Sequence, residues 1–201
     1  MPRHPDPLRK PQLLGEILDY LLDKSLASVS FRTIAQALGF STYTLVYHFG
    51  TRDQLLSEIV AAVSTRATVI EEFMDSAPNT LERYFEGLEE SWEWTLIPRN
   101  RQLQRLEFEA ALIEAIEPGT HTFSRSLFDT WLRIGSTALA SLGIEPAAAE
   151  VESRLVVDTF YGIQYDFVLN GDVAPATRAF EEAMRLHRAR IDALLPETVS
   201  R

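Results

Sequence analysis

The sequence has no cysteine, which excludes disulfides, thiolate metal sites and thiol nucleophiles. Lysine is nearly absent: it occurs only at Lys10 and Lys24, and arginine carries the remaining positive charge. Four histidines without any cysteine leave little with which to hold zinc. No run approaches the ~20 consecutive apolar residues that a membrane helix needs. The opening MPRHPDPLRKPQ has proline and charge but not the apolar centre of a signal peptide, so a cytoplasmic location without a membrane partner is expected. Alternation of apolar and polar residues never lasts more than a few positions, so strand signals are lacking. The glycine patterns of phosphate loops, dinucleotide sites and nucleophile elbows are missing as well. Glu117 and His121 stand four apart, but Pro118-Gly119 breaks any helix between them, and there is no Glu-x-x-His of the di-iron kind. No catalytic residue, metal site or cofactor is expected, and the chain does not read as an enzyme.

What is present is an ordinary globular composition over 201 residues, 46% hydrophobic and 24% charged, with a net charge of −10. Such a charge argues against nonspecific nucleic-acid binding by the whole molecule. It is unevenly spread, however. Residues 1–56 hold six Lys/Arg and five Asp/Glu, whereas residues 57–201 hold thirteen and twenty-four. Two parts with different partners are implied.

Helical periodicity recurs along the whole chain. Pro11 suits the first turn of an opening helix whose Leu14, Ile17, Leu18, Leu21 and Leu22 share a face. Two short helices follow, near 32–38 and 42–49, and a fourth starts near Arg52 and runs to about Asp75. Prolines and glycines then mark helices of about 80–96, 100–117, 121–142, 147–170 and 174–195. The expected fold class is all-α with about nine helices. The expected division is a disordered arm at 1–11, a helix-turn-helix domain at 12–56 and a larger helical domain at 57–201.

The stretch GFSTYTLVYHFGTRDQLL (39–56) carries the most information. Ala35 is small where two helices would cross, Gly39 follows where a turn calls for positive φ, and Leu45 anchors the next helix. Ser41 is a natural N-cap. At about 100° per residue, Leu45 and Phe49 share a face and should be buried. Tyr43 and Tyr47 lie nearly opposite, flanked by Thr44 and Val46, on the kind of face that suits a major groove.

The segment from 31 to 56 resembles the DNA-binding end of the TetR family of bacterial transcription regulators. The matching residues are Ile34-Ala35, Gly39-Phe40-Ser41, Thr44-Leu45-Val46-Tyr47-His48-Phe49 and Arg52-Asp53-Gln54-Leu55-Leu56. Val46 stands where the family usually has tyrosine and Arg52 where it has lysine, and the connection around 26–31 is about four residues shorter than usual. The resemblance implies a homodimer on a palindromic double-stranded operator, released by an apolar or amphipathic small-molecule effector. It implies that Thr33, Tyr47 and Arg52 meet phosphate or sugar and that Thr42, Tyr43 and Thr44 meet base edges, with Ser41 in the same DNA-facing set. His48, on the flank of the wheel, is open between a DNA contact and packing on the first helix.

By the same resemblance the last two helices pair with those of a second copy. Leu155, Thr159, Gly162 and Ile163 on one, with Phe180, Met184, His187 and Ile191 on the other, form the expected interface, the alternative being that these stripes face their own core. Trp92, Phe108, Phe128, Trp131, Tyr161 and Tyr165 are the expected lining of an effector pocket, although some must be core. The alternative function is an architectural DNA-binding protein of the same fold without an effector.

Overall fold

The computed structural model describes residues 8–63, 80–116 and 123–196, with Phe123 described by its backbone alone. Among these residues there are nine α-helices and no strand. They are α1 (Arg9–Leu21), α2 (Phe31–Leu38), α3 (Thr42–Phe49), α4 (52–63 as described), α5 (Leu81–Leu96), α6 (Pro98–Ile116), α7 (Phe123–Ser141), α8 (Pro146–Asn170) and α9 (Val173–Leu194). A 3₁₀ turn, Leu26–Ser28, joins α1 to α2. The expected continuation of the fourth helix to Asp75 and most of the expected N-terminal arm lie outside the described residues. Where the arm is described, it is helical. Helix α1 begins at Arg9, so Pro11 sits within the first turn, where its missing N–H costs no helical hydrogen bond.

The ends of these helices follow from their sequence. Ser30 and Thr33 form a reciprocal capping box at the start of α2. Ser41 accepts the Thr44 N–H at the start of α3, as its position predicts. Thr80 accepts the Arg83 N–H at α5, and Glu145, next to Pro146, accepts the Ala148 N–H at α8. Gly39 ends α2 with φ of +71°, the left-handed geometry that the turn was expected to need.

The chain divides into two compact units. The first holds α1–α4 together with the part of α6 from Leu106 and the first residues of α7 through Ser124. Here α1 packs on α2 and α2 on α3. Its interior is aliphatic: Leu13, Ile17, Leu21, Leu26, Ile34, Leu45, Leu55 and Ile59 are fully buried.

The second unit holds α5, the start of α6, α7 from Arg125, α8 and α9. It has two hydrophobic clusters. One gathers Tyr84, Phe85, Leu139, Ile144, Ala149 and Ile191. The other is built around Trp92, whose ring stacks on Phe180 with centroids 5.2 Å apart and meets Phe160 and Phe167 edge-on. Arg101 crosses the end of α8, where its guanidinium donates to the Val168 carbonyl at 2.7 Å and lies over the Phe167 ring. A cation there satisfies a terminal carbonyl and opposes the negative end of the helix. No helix among the described residues is long and apolar enough to cross a membrane.

Candidate nucleic-acid interface

Helix α3 is eight residues long and has two unlike faces. Leu45 is fully buried and Phe49 nearly so, which fixes the helix on α2. Tyr43 and Tyr47 project from the opposite side, 76% and 64% exposed, and Val46 beside them is 47% exposed. The two tyrosine rings run nearly parallel, with centroids 6.5 Å apart and 23° between their planes. Two aromatics held outward in register, with their hydroxyls free to reach solvent, form a rigid ridge that costs little side-chain entropy when it meets a surface. Thr42 is exposed next to them, and the half-buried Thr44 shares its hydroxyl with Ser41 at 2.8 Å. His48 is half-buried and meets the Tyr47 ring edge-on at 5.0 Å. It lines an open groove of about 590 Å³ with Lys10, Gln54 and Glu58, in which Lys10 and Glu58 form an ion pair.

Thr33 is exposed, but its hydroxyl is engaged locally with the Ser30 backbone and side chain, as the capping box requires. Arg52 has an observed role that the sequence did not announce. Its Nε donates to the Val29 carbonyl at 2.8 Å and its Nη2 reaches the Leu26 carbonyl at 3.5 Å. The 3₁₀ turn is thereby held from the α4 side. On its other side Glu109 of α6 accepts from the Leu26 N–H at 2.7 Å and the Ser25 hydroxyl at 2.8 Å. The short connection between α1 and α2 is thus clamped between a guanidinium and a carboxylate. Glu109 lies 84 residues from Ser25, and nothing local in the sequence links the two.

The turn from α3 to α4 depends on Gly50. Its φ is +70°, and an added Cβ would collide with the Gln54 side chain. That side chain is needed where it is, because it accepts the Thr51 N–H while Thr51 accepts the Gln54 N–H, a second capping box. The Thr51-x-x-Gln54 spacing was a readable signal that the sequence reasoning passed over. Arg32, exposed in the first turn of α2, is a further cation on this unit that it did not single out.

Arg52→Ala is expected to act in two separable ways. The lost charge-assisted bonds to carbonyls should cost about 1 kcal/mol of stability in urea unfolding. If Arg52 also meets a phosphate, the slope of log affinity against log salt should fall by about one unit. Arg52→Lys should restore the slope but not the stability, since an ammonium lacks the planar fork. Recovery of the stability by lysine would show the observed hydrogen bonds to be unimportant.

The other expected sites are distributed differently from the sequence reading. Phe128 and Tyr161 are brought together, edge to face at 5.4 Å, with both rings half-buried. Trp131 is half-buried and Tyr165 is 56% exposed. Phe108 is half-buried and belongs to the first unit, not the second. Trp92 is core, and its Nε1–H donates to the Thr177 hydroxyl at 3.3 Å.

On α8, Leu155, Thr159 and Gly162 face outward and Ile163 is half-buried. The α9 half of the expected interface requires correction. Phe180, Met184, His187 and Ile191 are all at most 7% exposed and pack into their own unit, so a second copy cannot rest on them. The outward face of α9 instead carries Ala179, Leu186, Ala189 and Ala193.

No protein-family profile matches the chain, and no curated protein sequence matches it. Solved structures do. The described residues define a class by their architecture: an all-α chain with a helix-turn-helix followed by a larger set of helices. That fold is the one found in TetR-type transcriptional regulators. A transcriptional regulator from a Rhodococcus species superposes with a TM-score of 0.74 at 18% identity, over 90% of this chain and 95% of that one. A TetR transcriptional regulator from Legionella pneumophila gives 0.69 at 14% identity, over 98% and 100%. NalD, the secondary repressor of the MexAB-OprM multidrug efflux pump in Pseudomonas aeruginosa, gives 0.62 at 16% identity, over 88% and 93%. At such identities the likeness is one of fold.

Proposed function

We propose that the chain is a DNA-binding transcriptional regulator that acts as a homodimer on a palindromic operator and is released by a small effector. The observation that carries this reading is the outward ridge of Tyr43 and Tyr47 on a capped, well-anchored α3. Apolar groups and hydroxyls on one helix face can meet thymine methyls, base edges and phosphates together. Thr42 and Thr44 stand beside the ridge as base-edge contacts. Thr33, Ser41, His48 and Arg52 surround it, and the first turns of α2 and α3 offer amides to phosphate.

The outward stripe of α8 supports the dimer. Val151, Leu155, Tyr165 and Leu169 are 45–67% exposed along one side of this 25-residue helix. Gly162 lies in the same stripe, and a Cβ added there would meet nothing within 4 Å. The chain's own packing does not require that glycine, whereas a close helix from a second copy would. The alanines and Leu186 on the outward face of α9 extend the same surface. With one reading helix per chain, a dimer calls for half-sites roughly 34–36 Å apart or a multiple of that.

The effector part rests on the pairing of Phe128 with Tyr161, two half-buried rings of the second unit with the Arg154 guanidinium over the Phe128 ring. An effector that favours the DNA-incompetent form about a hundredfold would shift the equilibrium by roughly 2.7 kcal/mol, an ordinary coupling energy.

The test is to select bound fragments from the genome of origin and to measure the winner by fluorescence anisotropy. An inverted repeat bound by two chains is expected. Tyr43→Ala should change the preferred bases at one or two positions, each by about 1–3 kcal/mol. A protein that remains monomeric by light scattering while binding the fragment tightly would refute the dimer. Unaltered base preference in Tyr43→Ala would refute the reading of α3.

A further inference from the structure

The first turn of α1 reaches both ends of α3. The Arg9 guanidinium lies over the ring of Phe40, just before α3, 5.5 Å from its centroid. The Lys10 ammonium lies 5.7 Å from the centroid of Phe49, the last residue of α3. In the open groove that His48 and Gln54 also line, Lys10 meets Glu58 of α4, with ammonium and carboxylate 2.5 Å apart. Both side chains of this pair are about 40% exposed, at 41% and 38%. Such a pair adds little to stability, and either member can turn to another partner. Cations are scarce in this unit. Among residues 8–63 they are Arg9, Lys10, Lys24, Arg32 and Arg52. Lys24 is paired with the adjacent Asp23, and Arg52 has two nitrogens on carbonyls of the 3₁₀ turn. Arg9, Lys10 and Arg32 remain, and Lys10 has a carboxylate against it. Phosphate contacts supply a large share of DNA affinity, so the state of each remaining cation matters. An eight-residue helix such as α3 is about 12 Å long, close to the width of a major groove, about 12 Å. Side chains beside its two ends therefore come within reach of the two backbones that border the groove.

We propose that Lys10 is a ligand for a backbone phosphate of the operator beside the Phe49 end of α3, and that Glu58 restrains it. On binding, the ammonium exchanges the Glu58 carboxylate for a phosphate, and the carboxylate returns to water in the groove. Breaking the ion pair offsets part of the gain from the phosphate contact. Because phosphates carry no sequence information, Glu58 is a brake that acts on every duplex alike. This rests on the DNA-binding reading given above, and it adds to that reading a cation and an acid outside the α3 ridge.

The test uses the full chain with a mixed-sequence duplex and with the selected operator, followed by fluorescence anisotropy over a range of salt. Thermal melts check that each variant is folded. Lys10→Gln should weaken both duplexes and lower the slope of log affinity against log salt by up to about one unit. Lys10→Arg should keep the slope of the unaltered protein. Glu58→Gln should tighten both duplexes by about two- to fivefold, the worth of an exposed ion pair. The deciding comparison places Glu58→Gln in the Lys10→Gln background, where that gain should disappear. An equal gain in both backgrounds would mean that Glu58 repels DNA by itself, and the restraint would be overturned. An unchanged slope in Lys10→Gln would overturn the phosphate contact. If the unaltered protein binds neither duplex at low salt, the DNA-binding reading itself fails. If it binds and Lys10→Gln matches it, this proposal alone fails.

Discussion

Trp92→Ala should unfold at a markedly lower urea concentration, with a loss of about 3–5 kcal/mol. Trp92 is 3% exposed, stacks on Phe180 and touches Phe160 and Phe167 with its edges, so its removal opens a hole among three other large side chains. Those rings come from α8 and α9, and they cannot close over the space without leaving their rotamers. The hydrogen bond to Thr177 is lost as well. Trp92→Phe should cost far less, about 1–2 kcal/mol, because a ring still stacks on Phe180. A small effect of the alanine substitution would mean that the cluster is loosely packed, and Trp92 could then serve as the pocket residue that the sequence suggested.

Stability should also fall as pH drops from about 6.5 toward 4, and His187 should account for much of the loss. Burial pushes the His187 pKa down to about 4, with Arg190 acting in the same direction and the Glu152 carboxylate opposing. The unfolded chain takes up this proton below about 6.5 and the folded chain does not. The stabilisation is therefore complete above about 6.5 and is lost as pH falls through the folded value, to a total of roughly 3 kcal/mol. The neutral ring is well provided for. Tyr84 on α5 places its hydroxyl 2.9 Å from Nε2. Burial, with a contribution from Glu152, holds that phenol well above its usual pKa, so it remains a donor and Nε2 accepts. Nδ1, which then carries the proton, lies 3.7 Å from the carboxylate of Glu152 on α8. Glu152 is itself gripped by both arms of the Arg190 guanidinium at 2.6 and 2.9 Å. The Phe85 ring, with Arg188 over it, completes the surroundings. Urea midpoints of the protein and of His187→Gln, compared at pH 7 and 4.5, test this. The variant should lose less stability between the two, and parallel curves would assign the acid sensitivity to other groups.

These two predictions concern places where the sequence was informative only in part. The helix-turn-helix could be read because its information is local: Ala35, Gly39, Ser41 and Leu45 fix two short helices within eleven residues, and the outward tyrosines follow from the wheel. The stripe on α9 was equally visible as a pattern, but periodicity does not say what covers a face. The structure covers it with α5 and α8 of the same chain. Helix α8 shows why the ambiguity is deep. Its buried side includes Glu152, Ser153 and Gln164, while Val151, Leu155 and Leu169 face outward. Val156, Phe160 and Phe167 share that buried side, so both sides carry apolar residues and hydrophobicity alone does not choose between them. What makes the buried polar side tolerable is supplied from far along the chain: Arg190 for Glu152, the Leu132 carbonyl for Ser153 and Thr95 for Gln164. Such pairings have no signature in one sequence. The same holds for Arg52 and Glu109 at the 3₁₀ turn.

The clamp made by Glu109 bears on how the first unit comes into being. A chain leaving the ribosome has made all of α1–α3 before Glu109 exists, and until then the Leu26 N–H and the Ser25 O–H lack the acceptor that Glu109 later supplies. The unit closes through a contact that spans 84 residues, which places its completion late and makes its closure entropy that of a long loop. A fragment cut at Val63 would lack the wall that α6 supplies beside Leu56 and Val60. The first unit is therefore not a cassette that can be excised at one point or grafted by joining one end; any transplant must carry two separate stretches of chain.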